Sequence, residues 1–282
     1  MPVFWSIPLV QFTPGDHWDY DEEGTHILID GQINGETRHL ITHSARNGFL
    51  YTMERSNGQT VLAKPYLDNV NWTKGIDQKT GKPVDYVPGN DIQMYAGVAT
   101  PTLTEPTKKM CPSPSGGNNF WPSAYSPKTK LLYVPALTNC AEVTQDPKLS
   151  NKANEMRGGP RASTNERYET DVSAIDPLTG DVKVKAHIAY PNYSGAVATA
   201  GGLVFTGFTD GTMMALDDTT MQPLWKINLG VGFDAPPMTF EVNGKQYVAI
   251  LSGLSRIAMG KHVNSPELKE QRNQTMLFVF GL

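Results

Sequence analysis

The feature of this sequence that most constrains its fold is a recurring unit of strand, tight turn and strand. Short runs of β-branched and aromatic residues, bounded by Gly, Pro, Asn and Asp, recur along the chain, and this pattern is typical of strands joined by turns. Three of the units place an acidic residue at the start of the turn and an apolar residue on the return strand. They run from Thr52 to Leu62, from Ala174 to Val184 and from Ala215 to Trp225.

The spacing of these units predicts an all-β fold, a β-propeller. The units that begin at Ala174 and Ala215 lie about 40 residues apart, and a repeat of this length with about four strands is typical of a propeller blade. The strand-like runs group into about four blade-like sets. The 26 glycines and 21 prolines among 282 residues also favour a turn-rich β protein over a helical one.

Two long insertions and one helical segment interrupt the strand pattern. Residues 64–114 and 141–167 are rich in Pro, Gly, Asn and Lys. Because loops of this length are usually functional or face a partner, we expect them to cover one end of the propeller, with plain surface decoration as the alternative. The pattern predicts a helix over residues 265–272, where Ser265 would cap it and Pro266 would occupy the first helical position.

Charge and hydropathy exclude several classes of partner. The net charge is −4 and no long basic run occurs, so we expect no nucleic acid or anionic membrane surface as a partner. No apolar stretch reaches the roughly 18 residues of a membrane span. Residues 1–10 are apolar but contain no Lys or Arg and no small-residue cleavage site, so we expect no signal peptide in this chain.

The segment richest in reactive side chains is QFTPGDHWDYD, residues 11–21. It contains Asp16, Asp19 and Asp21. In an extended backbone Asp19 and Asp21 would point to the same side, where two carboxylates suit a hard cation that lacks further oxygen ligands. Alternatively, one carboxylate is a general base and the other tunes it. The remaining interpretation is a solvated acidic turn.

Two further segments become informative only in combination. Arg46 precedes Asn47-Gly48, a turn dipeptide, and so lies at the start of a strand; alone, it reads as a surface arginine. In CPSPSGGNNFW, residues 111–121, the paired glycines permit close approach of a backbone, and Asn118 and Asn119 offer amide donors. Alone, this segment reads as a loop.

Two cysteines, Cys111 and Cys140, are present. They are either buried thiols or a disulfide, and no Cys/His spacing indicates zinc. If they pair, they close a loop that stabilises the fold by about 3 kcal/mol in the chain-entropy model. A disulfide would place the protein outside the cytosol.

Together these segments resemble the quinoprotein alcohol dehydrogenases, in particular the methanol and ethanol dehydrogenases. The resemblance extends from Gln11 to the final strands, with the motifs in the family's order. It rests on TPGDHWDYD, ARNGFLYTMERSNG, CPSPSGGNNFWPSAYSP, AIDPLTGDVKVK and GAVATAGGLVFTGFTDGTMMALD. The resemblance implies an eight-bladed propeller that uses pyrroloquinoline quinone (PQQ) and a metal ion to oxidise an alcohol.

The resemblance also implies roles for individual residues. Asp19 matches the catalytic aspartate, the general base that takes the alcohol proton and lies close to the metal. Arg46 matches the arginine that hydrogen-bonds the quinone oxygens. Asn119 matches an asparagine that contacts PQQ, and Tyr193 falls where some relatives have a tryptophan near the cofactor.

The resemblance implies the metal and the cysteine pairing as well. Asp21 occupies the position at which the lanthanide-dependent branch has an additional carboxylate ligand. A trivalent ion gains from one more anionic oxygen, so a lanthanide is the first expectation for the metal that Asp19 and Asp21 bind, and calcium is the second. Cys111 and Cys140 match a disulfide of the methanol dehydrogenases.

The chain also departs from the family pattern. Full members are roughly twice as long, so we expect residues 1–282 to form a partial propeller domain whose N-terminal half is absent. Such a fragment would expose open blade faces, and we expect it to be unstable or aggregate and to bind PQQ weakly or not at all. The family implies a periplasmic location, a separate cytochrome c as electron acceptor and a homodimer of the full-length enzyme. The alternatives are a PQQ-dependent sugar or polyol dehydrogenase and a non-catalytic propeller scaffold.

Overall fold

The computed structural model describes residues 10–16, 18–90, 93, 95, 109–145 and 160–281. Residues 1–9 and the centre of the second insertion, residues 146–159, lie outside the described residues. The strands are β1 His26–Ile33, β2 Glu36–Ser44, β3 Phe49–Glu54, β4 Thr60–Pro65, β5 Ala124–Ser126, β6 Leu131–Leu137, β7 Glu142–Gln145, β8 Pro160–Ser163, β9 Thr170–Ile175, β10 Val182–Ile188, β11 Ala196–Ala198, β12 Leu203–Gly207, β13 Thr212–Asp217, β14 Pro223–Asn228, β15 Met238–Val242, β16 Lys245–Leu251 and β17 Leu277–Gly281.

In the described part of the chain these strands form four successive antiparallel sheets and one hairpin. The first sheet has the order β1-β2-β3-β4, the second β10-β9-β6-β5, the third β11-β12-β13-β14 and the fourth β15-β16-β17, while β7 and β8 pair with each other. Each sheet is built from strands that are close in sequence, as in the blades of a propeller. The structure therefore confirms a partial β-propeller with about four blades.

Acidic residues at the turns explain why the predicted units fold locally. The carboxylate of Asp217 accepts hydrogen bonds from the backbone N–H groups of Thr219 and Thr220 at 3.0 and 2.7 Å. Asp176 accepts from the N–H of Leu178 in the same way. These local hydrogen bonds fix the turn between two strands. The hydrogen bonds that Thr220 and Thr219 donate also lower the pKa of Asp217.

The second sheet forms the core because it is covered on both faces. From β6, Leu132 and Val134 pack with Leu50 of the first sheet. Tyr133, which lies between them in sequence, packs with Val204 of the third sheet. Alternation of side chains along a strand produces this division, and burial on both faces explains why β6 is a nearly continuous apolar run.

The structure corrects the predicted helix. Residues 265–272 contain only a short 3-10 turn over Pro266–Leu268, and the Ser265 side chain makes no capping bond. The α-helix α1 instead spans Arg256–Gly260, where the Ser255 side chain accepts from the N–H of Ala258. Among the described residues no helix is long and apolar enough to cross a membrane.

Three strand boundaries also differ from the sequence prediction. In the sequence, residues 195–208 look like one strand-like run, but they form a hairpin of β11 and β12, because Gly202, with φ of 84°, turns the chain between them. Residues 119–126 look like another strand-like run, but only Ala124–Ser126 are a strand. Strand β4 occupies residues that the prediction divided between a return strand and the first insertion.

A test of the core is the replacement of Leu132 by alanine. Leu132 is buried between the first two sheets, so Leu132→Ala should lower the free energy of unfolding by about 2–5 kcal/mol, because the site loses apolar contacts and keeps a cavity. Leu224→Ala is the matched control, since Leu224 is 61% exposed, and it should change stability by less than about 0.5 kcal/mol. Urea unfolding measures both, and equal losses would contradict this packing.

Candidate active site

Arg46 lies in a tightly fixed turn between β2 and β3. The side-chain oxygen of Asn47 accepts from the N–H of Phe49 at 3.1 Å, and the indole N–H of Trp72 donates to the Asn47 carbonyl at 2.7 Å. Gly48 has φ of 91°, a conformation that glycine adopts at little cost. As predicted, Arg46 therefore leads directly into a strand, but it is buried rather than a surface side chain.

The glycine pair of the loop over residues 111–121 packs against this turn. A Cβ on Gly116 would lie 2.1 Å from Cγ of Arg46, and one on Gly117 would lie 2.3 Å from the hydroxyl of Tyr66. The Arg46 side chain donates from Nε to the carbonyl of Pro114 at 2.9 Å. The predicted close approach is thus real, and its partners are Arg46 and Tyr66.

The guanidinium of Arg46 brings the two predicted carboxylates together. Its Nη2 lies 2.8 Å from Oδ2 of Asp19, and its Nη1 lies 3.9 Å from Oδ2 of Asp21. The Arg46 side chain is only 10% exposed, whereas those of Asp19 and Asp21 are 52% and 60% exposed. The carboxylates therefore combine a fixed positive partner with free access from solvent.

The reason for this convergence differs from the one the sequence suggested. Asp19 has φ of 69°, in the left-handed region, so the backbone is not extended there. Aspartate tolerates this conformation better than most residues. The ion pair with Arg46, and not strand alternation, brings Asp19 and Asp21 to one place.

Asp16 folds this segment onto itself. Its carboxylate accepts from the N–H groups of Trp18 and Tyr20 at 2.8 and 2.6 Å, and burial raises the pKa of Asp16. The rings of Trp18 and Tyr20 are buried, and the Tyr20 hydroxyl donates to the carbonyl of Pro112 at 2.5 Å. The two aromatic anchors point inward, and the intervening Asp19 points toward Arg46.

Glu22 and His43 connect the same two segments a second time, and the sequence prediction missed both. Oε2 of Glu22 accepts from the backbone N–H of Arg46 at 2.9 Å and lies 3.0 Å from Nε2 of the buried His43. The ring of His26 stacks on that of His43 with centroids 3.9 Å apart. The acidic run at residues 21–23 was the available signal, but nothing in it distinguishes Glu22 from Glu23.

Lys261 is the other residue that the sequence prediction missed. It follows α1, and its Nζ donates to Oγ of Ser115 at 2.5 Å and lies 4.8 Å from the ring centroid of Tyr168. Burial, with a contribution from the Arg46 guanidinium, lowers the pKa of Lys261 to about 8, and the Asp19 carboxylate acts in the opposite direction. No sequence motif surrounds Lys261, so only the fold reveals it.

Asn119 and Tyr193 are connected through Phe120, whose N–H donates to Asn119 and whose ring contacts that of Tyr193. Asn119 is buried and donates to the carbonyl of Ser115 at 3.1 Å. The Tyr193 ring packs on Trp121 with centroids 4.6 Å apart, and on the half-exposed Phe120 at 5.8 Å. Burial raises the pKa of Tyr193 strongly, while the nearby Arg46 charge opposes the shift.

Cys111 and Cys140 form a disulfide, with Cα atoms 4.5 Å apart. The disulfide joins the start of the loop over residues 111–121 to the segment after β6. The N–H of Ser113 donates to the carbonyl of Asn139 at 2.9 Å, next to this link. The loop that holds Arg46 is therefore tied covalently to the second sheet.

The site as a whole suits an anionic, planar ligand beside a cation. Arg46 and Lys261 supply positive charge, Phe120 supplies exposed aromatic surface, and the exposed carboxylates of Asp19 and Asp21 are the oxygen donors that hard cations prefer. The described ranges contain no group of three or more His, Cys, Asp or Glu side chains arranged to hold a metal.

Comparison with known proteins agrees with this description. Residues 171–248 match the family model described as "PQQ: Glucose/ethanol/alcohol dehydrogenase, beta-propeller domain". A quinoprotein ethanol dehydrogenase from Pseudomonas putida is 35% identical over 247 residues, which cover 86% of this chain and 39% of the relative. A lanthanide-dependent methanol dehydrogenase from Methylacidiphilum fumariolicum strain SolV is 35% identical over 255 residues, with the same two coverages.

The chain is homologous to part of the quinoprotein alcohol dehydrogenases. A solved structure of a europium-containing methanol dehydrogenase superposes with a TM-score of 0.83 at 30% identity, over 96% of this chain and 50% of the other. The quinohemoprotein alcohol dehydrogenase from Comamonas testosteroni gives a TM-score of 0.77 at 28% identity, over 96% of this chain and 40% of the other. The chain thus spans half or less of the quinoprotein dehydrogenases it matches, consistent with their C-terminal region.

The role of Glu22 can be tested by stability. Glu22→Ala removes the acceptor of the Arg46 N–H and the partner of His43, so we expect a loss of about 2 kcal/mol in the free energy of unfolding, since buried donors lose their partner. Glu23→Ala is the control because Glu23 is exposed. Equal stability of the two variants in urea unfolding would show that Glu22 does not fix the Arg46 turn.

Proposed function

We propose that this chain forms part of the active site of a PQQ-dependent alcohol dehydrogenase, which oxidises a small primary alcohol to an aldehyde. The observation that carries the proposal is the ion pair between the exposed carboxylate of Asp19 and the buried guanidinium of Arg46. Homology to quinoprotein ethanol and methanol dehydrogenases supports it. The relatives are longer than this chain, so the complete reaction also needs residues from outside it.

The residues of the site fit PQQ, a planar quinone that bears carboxylates. Arg46 has a planar guanidinium whose two terminal nitrogens contact the exposed carboxylates of Asp19 and Asp21, and a guanidinium suits paired oxygen atoms. Asn119 bonds to Ser115, next to the Pro114 carbonyl that accepts from Arg46, and Tyr193 is close enough to Arg46 for the guanidinium charge to affect its pKa. We propose Arg46, Asn119 and Tyr193 as the residues of this chain that would hold the cofactor.

The residues also fit a hard cation, in part. Asp19 and Asp21 offer two exposed carboxylates on one side of Arg46, and a lanthanide or calcium ion takes carboxylate oxygens but needs more than two ligands. We propose a lanthanide first because Asp21 adds a second negative charge, and calcium second. The remaining ligands would come from residues other than those described.

Each residue would act through its charge and position. Asp19 would take the hydroxyl proton of the alcohol at a carboxylate oxygen, as a general base. Arg46 would orient that carboxylate and stabilise negative charge that develops beside it. When bound, PQQ and its cation supply the hydride acceptor and the Lewis acid.

The setting of the enzyme is proposed from the same family. Residues 1–282 would form a partial quinoprotein propeller domain, and the complete enzyme would act in the periplasm, pass electrons to a separate cytochrome c and form a homodimer. The Cys111–Cys140 disulfide supports an oxidising compartment.

A sugar or polyol dehydrogenase that uses PQQ is the second candidate. The description of the matching family model names glucose beside ethanol and alcohol, and such an enzyme would use the same base and cofactor. The relatives described above are ethanol, methanol and other alcohol dehydrogenases, which favours a small alcohol.

The function can be tested in a hybrid protein in which this chain replaces the matching segment of the europium-containing methanol dehydrogenase. Loaded with PQQ and europium, the hybrid should oxidise alcohol with an artificial dye as acceptor. Asp19→Asn should lower the turnover by about 10²-fold or more, because the proton loses its acceptor. Asp68→Asn is the matched control, since the Asp68 side chain is 85% exposed and pairs with Lys185.

In this experiment a hybrid that binds PQQ and oxidises alcohol equally well with either variant would contradict the role of Asp19. A non-catalytic scaffold would show no turnover that depends on Asp19. Circular dichroism and gel filtration report whether the hybrid folds, so loss of the fold is distinguishable from loss of chemistry.

The isolated chain provides a second test that does not depend on the hybrid. We expect the 282 residues alone to oxidise no alcohol and to bind PQQ weakly, with Arg46→Gln reducing that affinity about tenfold because a charged hydrogen-bond donor is lost. Arg55→Gln, which removes an arginine paired with Asp30, should leave the affinity unchanged. Equilibrium dialysis measures both; tight stoichiometric binding, or equal binding by the two variants, would contradict the proposal.

A further inference from the structure

Lys261 has a position that the proposed chemistry does not use. In the described part of the chain its Nζ contacts a neutral hydroxyl, that of Ser115, and the face of the Tyr168 ring. Among the described residues no carboxylate forms an ion pair with Lys261. Burying an ammonium group without an anionic partner costs free energy. The position of Lys261 therefore needs a physical reason.

The surroundings of Lys261 connect it to Arg46 through one loop. Ser115 binds Lys261 through its hydroxyl, its carbonyl accepts from Asn119, and the carbonyl of the preceding Pro114 accepts from Arg46. Three side chains that carry N–H donors are therefore fastened to two consecutive loop residues. This arrangement places donors from the first sheet, the loop and the segment after α1 in one region.

The two cations in this region differ in their acidic partners. Arg46 forms ion pairs with Asp19 and Asp21, whereas among the described residues Lys261 forms none. The Arg46 charge adds to the effect of burial in lowering the pKa of Lys261, and the Asp19 carboxylate acts in the opposite direction. An anion bound between them would relieve both the repulsion and the burial of Lys261.

We propose that Lys261 and Arg46 form a two-cation site that binds a carboxylate of the ligand in this active site. The inference rests on the proposed function, because PQQ is a tricarboxylate and would bring this anion with it. A hydroxy-acid substrate would carry the same chemistry. In either case Lys261 contacts the ligand directly, while Ser115 and Tyr168 hold its ammonium in position.

Calorimetric titration of the hybrid protein described above, prepared without PQQ, with two forms of the cofactor tests the proposal; wild type below means the hybrid with Lys261 unchanged. The forms are PQQ and its trimethyl ester, which keeps the quinone but carries no carboxylate charge. Lys261→Met should weaken PQQ binding about tenfold, since a charge-assisted bond is lost, and leave binding of the ester unchanged. Lys261→Arg keeps the charge and should restore most of the affinity for PQQ.

Lys269→Met is the matched control. Lys269 lies in the same C-terminal segment and is exposed, so its loss should not change binding of either form. Lys261→Met keeps the backbone N–H that bonds to the carbonyl of Ala258 at the end of α1, and thermal unfolding should confirm that the variant is folded.

Glycolate, a small hydroxy acid, identifies the source of the carboxylate. If Lys261→Met weakens glycolate binding and leaves PQQ binding unchanged, the two-cation site is supported with the substrate as its ligand. If wild type binds no PQQ but binds glycolate through Lys261, the proposed cofactor fails and the carboxylate site stands. If Lys261→Met binds PQQ and glycolate as tightly as wild type does, the inference is overturned while the proposed function is untouched.

Discussion

The ion pair between Arg46 and Asp19 is the interaction on which the site depends. Nη2 of Arg46 lies 2.8 Å from the carboxylate of Asp19, and this side chain also bonds through Nε to Pro114. Because the guanidinium is buried and the carboxylate is exposed, the pair has a rigid inner end and an accessible outer end. The left-handed backbone of Asp19 and the glycine at position 116, where any side chain would collide with Arg46, are both consequences of this geometry.

The propeller explains how residues distant in sequence reach this pair. Arg46 lies between β2 and β3, the Ser113–Asn119 loop precedes β5, Tyr193 lies between β10 and β11, and Lys261 lies between β16 and β17. Arg46 and Lys261 therefore lie in connections within the first and fourth sheets, whereas the loop leads into the second sheet and Tyr193 lies between the second and third. The hydrogen bonds from Arg46 and Lys261 to one loop show that these connections meet at one end of the described sheets.

Much of the fold and part of the site were predictable from the sequence. The turn carboxylates of Asp176 and Asp217 act locally, through bonds to residues two or three positions away, so a short window of sequence contains the signal. The Cys111–Cys140 disulfide, which the resemblance implied, is confirmed, and the ion pair joins Arg46 and Asp19, two residues that their sequence motifs had singled out. The position of the helix was wrong because Ser255 and Ser265 offer similar caps, and only packing decides between them.

The rest of the site depends on contacts that no local pattern encodes. Glu22 and Glu23 are neighbours of identical type, yet only Glu22 faces the buried His43. Lys261 reaches Ser115 across 146 residues of sequence, and its neighbours resemble any polar surface segment. Such charges are identified by where the fold buries them, and burial is a property of the assembled sheets.

The measurement that tests the central claim most directly is anomalous X-ray diffraction from crystals of the hybrid protein loaded with PQQ and europium. The account predicts an anomalous peak within ligand distance of the carboxylates of Asp19 and Asp21, with the quinone oxygens against the guanidinium of Arg46. The proposed site would be contradicted if the europium peak and the quinone lay elsewhere on the protein and neither contacted the Asp19–Arg46 pair.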